Sequence, residues 1–247
     1  MKMERRWHWL FCLNFLLFAA LGSSGHEPGW DFPPDIYPMT GATPKSIVAG
    51  NGVVYTADSV VSQWTESDGW RDLSDPGSGL QFNRLFLKGD TLYGAGLFQN
   101  PEDSSVSSFV YKCDLTTGTW SQVGDLLPET PLIQCIAVDA SDRVYVGFGA
   151  YVDEEGFGQN TEMLKQWDSE AHDWVTVGNG FYAEPDKFFL SFEGVTALAV
   201  DGNDLYVGGS FSGGMNNPGY TPEEVDSQAF IKWDGTRWIA VASGIPN

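Results

Sequence analysis

The chain has 247 residues, of which 42% are hydrophobic, 14% aromatic and only 19% charged, with 29 glycines and 10 tryptophans. This composition favours short strands joined by tight turns over long helices. The formal net charge of −20 argues against DNA, RNA or an anionic lipid surface as a partner, because the protein would repel them.

Residues 1–22 have the pattern of a secretory signal peptide. Basic residues at Lys2, Arg5 and Arg6 precede the apolar run 7–21, and small residues follow it. We therefore expect a secreted or extracytoplasmic protein, at the cell surface or in the periplasm, with no membrane insertion after signal removal. A single membrane anchor is the alternative, although the run is shorter than the roughly 20 residues that a membrane span prefers.

A hairpin pattern recurs along the rest of the chain. Each copy has an apolar strand A, a tight turn, and a strand B that carries a tyrosine. These tyrosines are Tyr55, Tyr93, Tyr145 and Tyr206. The clearest copy, 195–211, ends in the glycine pair Gly208 and Gly209.

Each hairpin is followed by a second pair of strands, C and D, with its own landmarks. They are Trp64 and Trp70; Tyr111, Asp114 and Trp120; Trp167, Asp168 and Trp174; and Trp233, Asp234 and Trp238. The repeating unit is therefore four short strands, and four units are predicted at about 43–78, 79–126, 130–180 and 193–244.

We predict an all-β fold, a β-propeller of four-stranded antiparallel blades with four blades recognisable in one domain, 43–247. Stacking of the tyrosines and tryptophans against the next blade would give each sheet its second layer. Residues 23–42 are either a leader or a segment that closes the ring. A β-sandwich is the structural alternative, and the fixed order of landmarks in four successive units argues against it. Four blades in a closed ring and a part of a larger propeller both remain open.

Two stretches carry a family resemblance. "LYVGGSF" and "WDGTRW" resemble the secreted propeller repeats of cortical polarity-marker proteins, and "YKCDLTTGTW" is similar to the kelch pattern. The resemblance implies a propeller architecture of the galactose-oxidase type without its copper site, because only His26 and His172 remain after signal removal. It implies a fold rather than an activity, since propellers carry many unrelated functions.

The predicted B–C and D–A connections are long and acidic, and in a propeller they project from one face. Long loops on a rigid scaffold are where binding residues gather. The binding-face candidates are Tyr151, Asp153, Glu154, Glu155, Phe157, Tyr182, Asp186, Tyr220, Glu223 and Glu224. Aromatic rings beside carboxylates suit sugars or a basic protein partner, so we expect a non-catalytic module that binds a protein or glycan ligand.

Several alternatives stay open. The loop carboxylates also suit a propeller glycoside hydrolase or lyase, although none lies in a catalytic signature, and the chain could be a structural module or a fragment of a larger surface protein. We expect no cofactor; calcium at Asp153–Gly156 is the one alternative. Cys113 and Cys135 are either a disulfide or two small buried side chains, and the turn sequences "DASD" and "DGND" favour turns over a metal site.

Overall fold

The computed structural model describes residues 43–74, 76–128, 132–149, 163–182, 194–216 and 224–241. All of them lie in one unit of the chain, 37–247, and they form β-strands without a helix. No helix in this described part is therefore long and apolar enough to cross a membrane.

Most of the described strands assemble into four antiparallel sheets, each with four strands paired in chain order. Sheet 1 contains β1 (Ser46–Gly50), β2 (Val53–Ala57), β3 (Val61–Thr65) and β4 (Gly69–Asp72). Sheet 2 contains β5 (Leu80–Lys88), β6 (Thr91–Gln99), β7 (Val106–Asp114) and β8 (Thr119–Gln122), with β9 (Leu127–Pro128) added beside β7.

Sheets 3 and 4 have the same order. Sheet 3 contains β10 (Ile133–Val138), β11 (Val144–Phe148), β12 (Leu164–Asp168) and β13 (Asp173–Thr176). Sheet 4 contains β15 (Val195–Asp201), β16 (Asp204–Gly209), β19 (Phe230–Trp233) and β20 (Trp238–Ala240). The predicted all-β class with four-stranded antiparallel sheets is confirmed, and the predicted domain and repeat boundaries stay predictions.

Tight hairpins join the first two strands of each sheet. In sheet 1 the two turn residues, Asn51 and Gly52, both have positive φ, at 54° and 77°. A two-residue type I′ turn needs that conformation at both positions, and Asn-Gly is the sequence that adopts it most readily. Hairpin geometry thus explains Asn51 and Gly52 in this turn.

Three hydrophobic cores lie between consecutive sheets. The first joins Tyr55 of sheet 1 to Phe82 and Phe109 of sheet 2. The second lies between sheets 2 and 3 and the third between sheets 3 and 4. Because neighbouring residues of a strand point to opposite faces, sheet 2 contributes Leu92 to the first core and Tyr93 to the second.

Sheets 2 and 3 are consequently covered on both faces. The first strand of each sheet contacts the first strand of the next one, so β1 meets β5, β5 meets β10, and β10 meets β15. A two-layer sandwich would cover each sheet on one face only. This packing differs from the sandwich alternative.

In each sheet a tryptophan on the fourth strand lies directly opposite a tryptophan or a cysteine on the third strand. These cross-strand pairs are Trp64–Trp70, Cys113–Trp120, Trp167–Trp174 and Trp233–Trp238. The rings of the third and fourth pairs are 5.6 and 5.1 Å apart between centroids. In sheet 2 the position of the first tryptophan is therefore taken by Cys113, and the landmark residue Tyr111 lies two positions earlier on β7. Tyr111 instead packs beside Phe109 on the same strand.

The residues that follow the fourth strand of a sheet contact the cross-strand pair of the next sheet. A Cβ on Gly124 would lie 2.5 Å from the Trp174 indole nitrogen and 2.6 Å from the Trp167 ring. A Cβ on Gly178 would lie 2.7 Å from the Trp238 indole nitrogen. After sheet 1, the Ser74 hydroxyl donates to the Gly118 carbonyl, at 2.9 Å, in the β7–β8 turn. Successive sheets are thereby linked at their outer strands as well as by their cores.

The remaining landmark residues have definite places in the sheets. Tyr55, Tyr93 and Tyr145 are buried, each against the following sheet, and Tyr206 is half-buried. A Cβ on Gly209 would collide with the Gly194 carbonyl, so a side chain is excluded there, whereas Gly208 has ordinary clearance.

The two cysteines are free thiols in the interior. Cys113 lies on β7 and Cys135 on β10, and both are buried. The disulfide alternative is therefore not what the structure has. Burial raises the pKa of Cys113 to about 11 and that of Cys135 to about 12, because a thiolate would lose its hydration there.

Candidate functional site

The connections at the two ends of the sheets differ in length. In an antiparallel sheet the first and third connections lie at one edge, and the second connection and the link to the next sheet lie at the other. The first and third connections are the short hairpins. The second connection of sheet 1 is also short, 58–60 between β2 and β3, but the others span 100–105 between β6 and β7, 149–163 between β11 and β12, and 210–229 between β16 and β19. We call the edge with the second connections and the links the long-loop edge.

The link after sheet 2 approaches the long-loop edge of its own sheet. Strand β9 pairs antiparallel with the beginning of β7, Leu127 opposite Ser108 and Pro128 opposite Ser107. This link, 125–131, is one of the long D–A connections that the sequence predicts. Part of it is instead ordered by backbone pairing beside the β6–β7 connection.

A small additional sheet lies at the same edge near sheet 4. It consists of β14 (Phe181–Tyr182), β17 (Gly213–Met215) and β18 (Glu224–Asp226), with β17 in the centre. Strand β14 belongs to the link after sheet 3, and the other two strands belong to the connection within sheet 4. Both segments belong to the long connections that the sequence predicts. The structure thus brings two long connections together by backbone hydrogen bonds.

Aromatic packing fixes this three-stranded sheet to the third core. The Phe181 ring lies 4.7 Å from the Phe211 ring and 4.8 Å from the Trp238 ring, between centroids. A Cβ on Gly214 would lie 2.5 Å from Trp238, so the glycine lets β17 approach the indole directly. The sheet is therefore a fixed part of the scaffold.

Amide hydrogen bonds add to this attachment. Asn216 accepts the backbone N–H of Trp238 at 2.7 Å and donates its amide to the Trp238 carbonyl at 3.3 Å. The Asn179 amide donates to the Asn216 carbonyl at 2.6 Å. Sequence reasoning missed Asn179 and Asn216, because a single asparagine in a long connection has no periodic pattern to mark it.

The β6–β7 connection is an acidic loop closed by its own hydrogen bonds. The Asn100 side chain accepts the Glu102 N–H at 3.0 Å, and the Asp103 carboxylate accepts the Ser105 N–H at 2.8 Å. Hydrogen bonds from Ser105 hold the pKa of Asp103 below its usual value. Glu102 and Asp103 are both exposed, so this part of the long-loop edge presents negative charge to the solvent.

Most of the predicted binding-face residues lie outside the described residues. They are Tyr151, Asp153, Glu154, Glu155, Phe157, Asp186, Tyr220 and Glu223. The backbones of Tyr182 and Glu224 are described, in β14 and β18. Tyr182 pairs with Gly213 and Glu224 pairs with Met215, so β17 lies between these two predicted residues.

The recurring aspartates close the short hairpins on the opposite edge. The Asp114 carboxylate accepts the Thr116 hydroxyl at 2.6 Å, and Asp234 accepts the Thr236 hydroxyl at 2.7 Å. Asp168 accepts the Ala171 N–H at 3.0 Å in the same kind of turn. These hydrogen bonds lower the pKa of all three carboxyl groups, since they favour the charged form.

Asp139 is the one carboxylate that the described part of the chain buries completely. It accepts the Arg143 guanidinium at 2.6 Å, the Tyr145 hydroxyl at 3.1 Å and the Ser141 N–H at 2.9 Å. Burial, followed by the charge of Asp139, raises the pKa of Tyr145. All of these partners lie at the hairpin of sheet 3, so the hydrogen bonds of Asp139 hold this hairpin together. The described residues contain no group of three potential metal ligands.

Comparisons with known proteins leave the family unassigned. No family model matches the chain, and no curated protein matches it. Among solved structures, it is similar to the computationally designed Ika4 protein, with 16% identity over 68% of this chain and 86% of that one, at a TM-score of 0.43. It is also similar to YjhT, with 17% identity over 80% of this chain and a TM-score of 0.45, and it spans 65% of the length of YjhT.

Proposed function

We propose that this protein is a secreted, non-catalytic β-propeller with kelch-like repeats that binds a protein or glycan ligand at its long-loop edge. The proposal has two parts, the arrangement of the sheets and the use of one edge. Each part has its own support in the described residues.

The propeller arrangement is supported by the sequential stacking of the four sheets. Each of the three hydrophobic cores joins one sheet to the next along the chain. The first strands contact each other in the same order, as the innermost strands of propeller blades would. Within the described residues β15 and β1 are not in extensive contact. Closure of the four sheets into a ring is therefore proposed and is not an observed contact.

The observation that carries the binding proposal is the convergence of long connections on one edge. Strand β14 pairs with β17, and β9 pairs with β7, so links between sheets and connections within sheets meet there. A rigid scaffold beneath long loops limits the conformational entropy that a ligand must overcome. Half of the predicted residues belong to the connections that β14 and β17 join, namely Tyr182, Asp186, Tyr220, Glu223 and Glu224. The other half belong to the 149–163 connection, namely Tyr151, Asp153, Glu154, Glu155 and Phe157.

Aromatic rings and carboxylates would recognise a ligand in two ways. A sugar would stack its apolar face on a ring while its hydroxyl groups donate to the carboxylates. A basic protein segment would pair with the same carboxylates, and its affinity would fall as salt increases. The signal-like N-terminus would bring the protein to the extracytoplasmic space where such ligands occur.

A binding screen of the chain from Ser23 tests the proposal. The protein is applied to immobilised glycans and, separately, to basic peptides at low and high salt. Scrambled acidic peptides are the control for the basic ones. Saturable binding to one glycan class, insensitive to salt, supports a glycan ligand, and salt-sensitive binding to basic peptides supports a protein ligand. Absence of saturable binding in both formats, or turnover of a bound glycan, contradicts the non-catalytic binding function.

A further inference from the structure

A groove of about 870 Å³ opens between sheets 2 and 3, toward the edge opposite to the long-loop edge. Its volume lies in the range of small-ligand sites. Trp167 borders it on the side of sheet 3. Two rows of cross-strand neighbours border it on the side of sheet 2, Tyr93–Lys112–Ser121 and Thr91–Asp114–Thr119. The groove therefore places one aromatic ring opposite a wall of hydroxyl and charged groups.

A small side chain on the fourth strand of sheet 2 leaves room for this groove. Ser121 occupies the place that Val175 has in sheet 3 and Ile239 has in sheet 4. Across the groove, Trp167 is partly exposed, whereas Trp233, at the same place in sheet 4, is 8% exposed. Sheets 2 and 3 thus leave part of an indole ring accessible between them.

The hydroxyl of Tyr93 is an unpaired donor at the groove. Tyr93 is 6% exposed, and its hydroxyl makes no hydrogen bond to any residue that the structure describes. At the same place in sheet 3, the Tyr145 hydroxyl donates to Asp139 at 3.1 Å. Burial, followed by the charge of Asp142, raises the pKa of Tyr93, so the phenol keeps its proton at neutral pH. A ligand oxygen in the groove would satisfy this donor, which is costly to leave unpaired.

Lys112 adds a cation without a carboxylate partner. In sheet 4 the equivalent Lys232 pairs with Asp204 at 2.9 Å. Sheet 2 has Thr91 at the place of Asp204, and Lys112 forms no ion pair within the described part of the chain. Its three ammonium hydrogens are therefore available to acceptors in the groove.

The charges that border the groove balance one another. Lys112 and Arg143 are matched by Asp114 and Asp142, so the groove has no net charge that would select an anion or a cation. Sugar hydroxyl groups both donate and accept hydrogen bonds, and the apolar face of a sugar stacks on an aromatic ring. The hydroxyl groups, the unpaired donors and the indole together suit a neutral polyhydroxylated ligand.

We propose that the groove between sheets 2 and 3 binds a short neutral saccharide, whose sugar ring stacks on Trp167 and whose oxygens accept hydrogen bonds from Tyr93 and Lys112. The groove lies away from the long connections. The inference therefore goes beyond the proposed function and stands whether or not the long-loop edge binds a ligand.

The test titrates the chain from Ser23, labelled with 5-fluorotryptophan, with neutral trisaccharides of glucose, mannose, xylose and N-acetylglucosamine. ¹⁹F NMR follows the resonance of Trp167, assigned with Trp167→Phe, and that of Trp70, assigned with Trp70→Phe. Trp70 is 37% exposed in sheet 1 and lies outside the groove. At concentrations up to about 10 mM, at least one trisaccharide is expected to shift the Trp167 resonance saturably and to leave that of Trp70 in place.

Two variants with matched controls locate the ligand. Tyr93→Phe removes the hydroxyl but keeps the ring, and should weaken binding about three- to tenfold. Tyr55→Phe, at the same place in sheet 1, should leave the dissociation constant unchanged. Ser121→Leu fills the groove and should weaken binding at least about tenfold, whereas Val175→Leu, at the same place in sheet 3, should not.

Three results overturn the proposal. They are the absence of a Trp167 shift with every trisaccharide, a shift of Trp70 alone, and equal dissociation constants for wild type and both folded groove variants. A ligand that Ser121→Leu still binds, but a variant with Tyr151→Ala, Phe157→Ala and Tyr220→Ala does not, belongs to the long-loop edge and also overturns it. Because neither groove variant changes a long connection, the long-loop function is tested separately.

Discussion

Replacement of Trp174 tests the packing between sheets 2 and 3. Its ring is 7% exposed, lies 5.6 Å from the Trp167 ring and contacts Gly124 of the preceding link. Removal of a buried aromatic side chain costs about 3–5 kcal/mol, which includes the cavity left behind. We expect Trp174→Ala to lower the free energy of unfolding by that amount, measured by urea titration with circular dichroism detection.

Two further variants separate the contributions to that loss. The Trp174 indole nitrogen donates to the Asp125 carbonyl at 3.2 Å, so Trp174→Phe keeps an aromatic ring and removes a hydrogen bond, at a cost of about 1–2 kcal/mol. Val175→Ala is the control on the same strand, where an exposed side chain contributes less than about 1 kcal/mol. A loss below about 1 kcal/mol for Trp174→Ala, or one equal to that of Val175→Ala, would refute the reasoning.

Three other predictions use the same unfolding assay or simple chemistry. Gly178→Ala should lower the free energy of unfolding by about 2–4 kcal/mol, because the new Cβ collides with the tryptophan rings and φ is positive. Gly118→Ala is the control and should cost about 1 kcal/mol, since φ is also positive there but no atom lies within 4 Å. Equal losses for the two variants would contradict this. Because burial raises the pKa of Cys113 and Cys135 to about 11 and 12, a thiol reagent at pH 8 should label neither until urea unfolds the chain, and rapid labelling of the native protein would contradict their burial. The unfolded chain ionises its thiols first, so stability should also fall as pH rises above about 9. The Thr236 hydrogen bond lowers the pKa of Asp234, so the stabilisation by this carboxylate should be complete above the ordinary value of 3.8 and be lost as pH falls through the lowered value. A stability difference between wild type and Asp234→Ala that does not shrink as pH falls below 3.8 would contradict this.

The sheets could be predicted because their signals are short-range and repeated. An alternating strand, a turn such as Asn51–Gly52 and a tryptophan at a fixed interval are each local in the sequence. Repetition in four units made these local signals mutually consistent. The short hairpins predict the pairing of the first strand with the second and of the third with the fourth.

Other features depend on contacts that the sequence does not mark. The three-stranded sheet forms because Phe181 packs on Phe211 and Trp238, residues 30 or more positions away. Cys113 occupies the position that a tryptophan has in the other sheets. The strand register shows this equivalence, but the residue types in the sequence do not. The exposure of Trp70 depends on what lies against sheet 1, so no local pattern could separate it from Trp174.

The candidate site was predicted from the lengths and composition of its connections. The structure shows that two links between sheets reach the same edge as the connections within sheets, through β9 and β14. Most of the aromatic and acidic residues named for binding lie outside the described residues, so their role stays a prediction. Long connections with few repeated landmarks do not specify side-chain positions by pattern alone.

The most direct test of the binding function is the dissociation constant of the best ligand from the screen for a variant with Tyr151→Ala, Phe157→Ala and Tyr220→Ala. The control is Ser169→Ala, in a short hairpin on the opposite edge. If the long-loop edge binds the ligand, the triple variant should bind at least about tenfold more weakly, which corresponds to about 1.4 kcal/mol, while the control is unchanged. Equal dissociation constants for wild type and a folded triple variant would contradict the account.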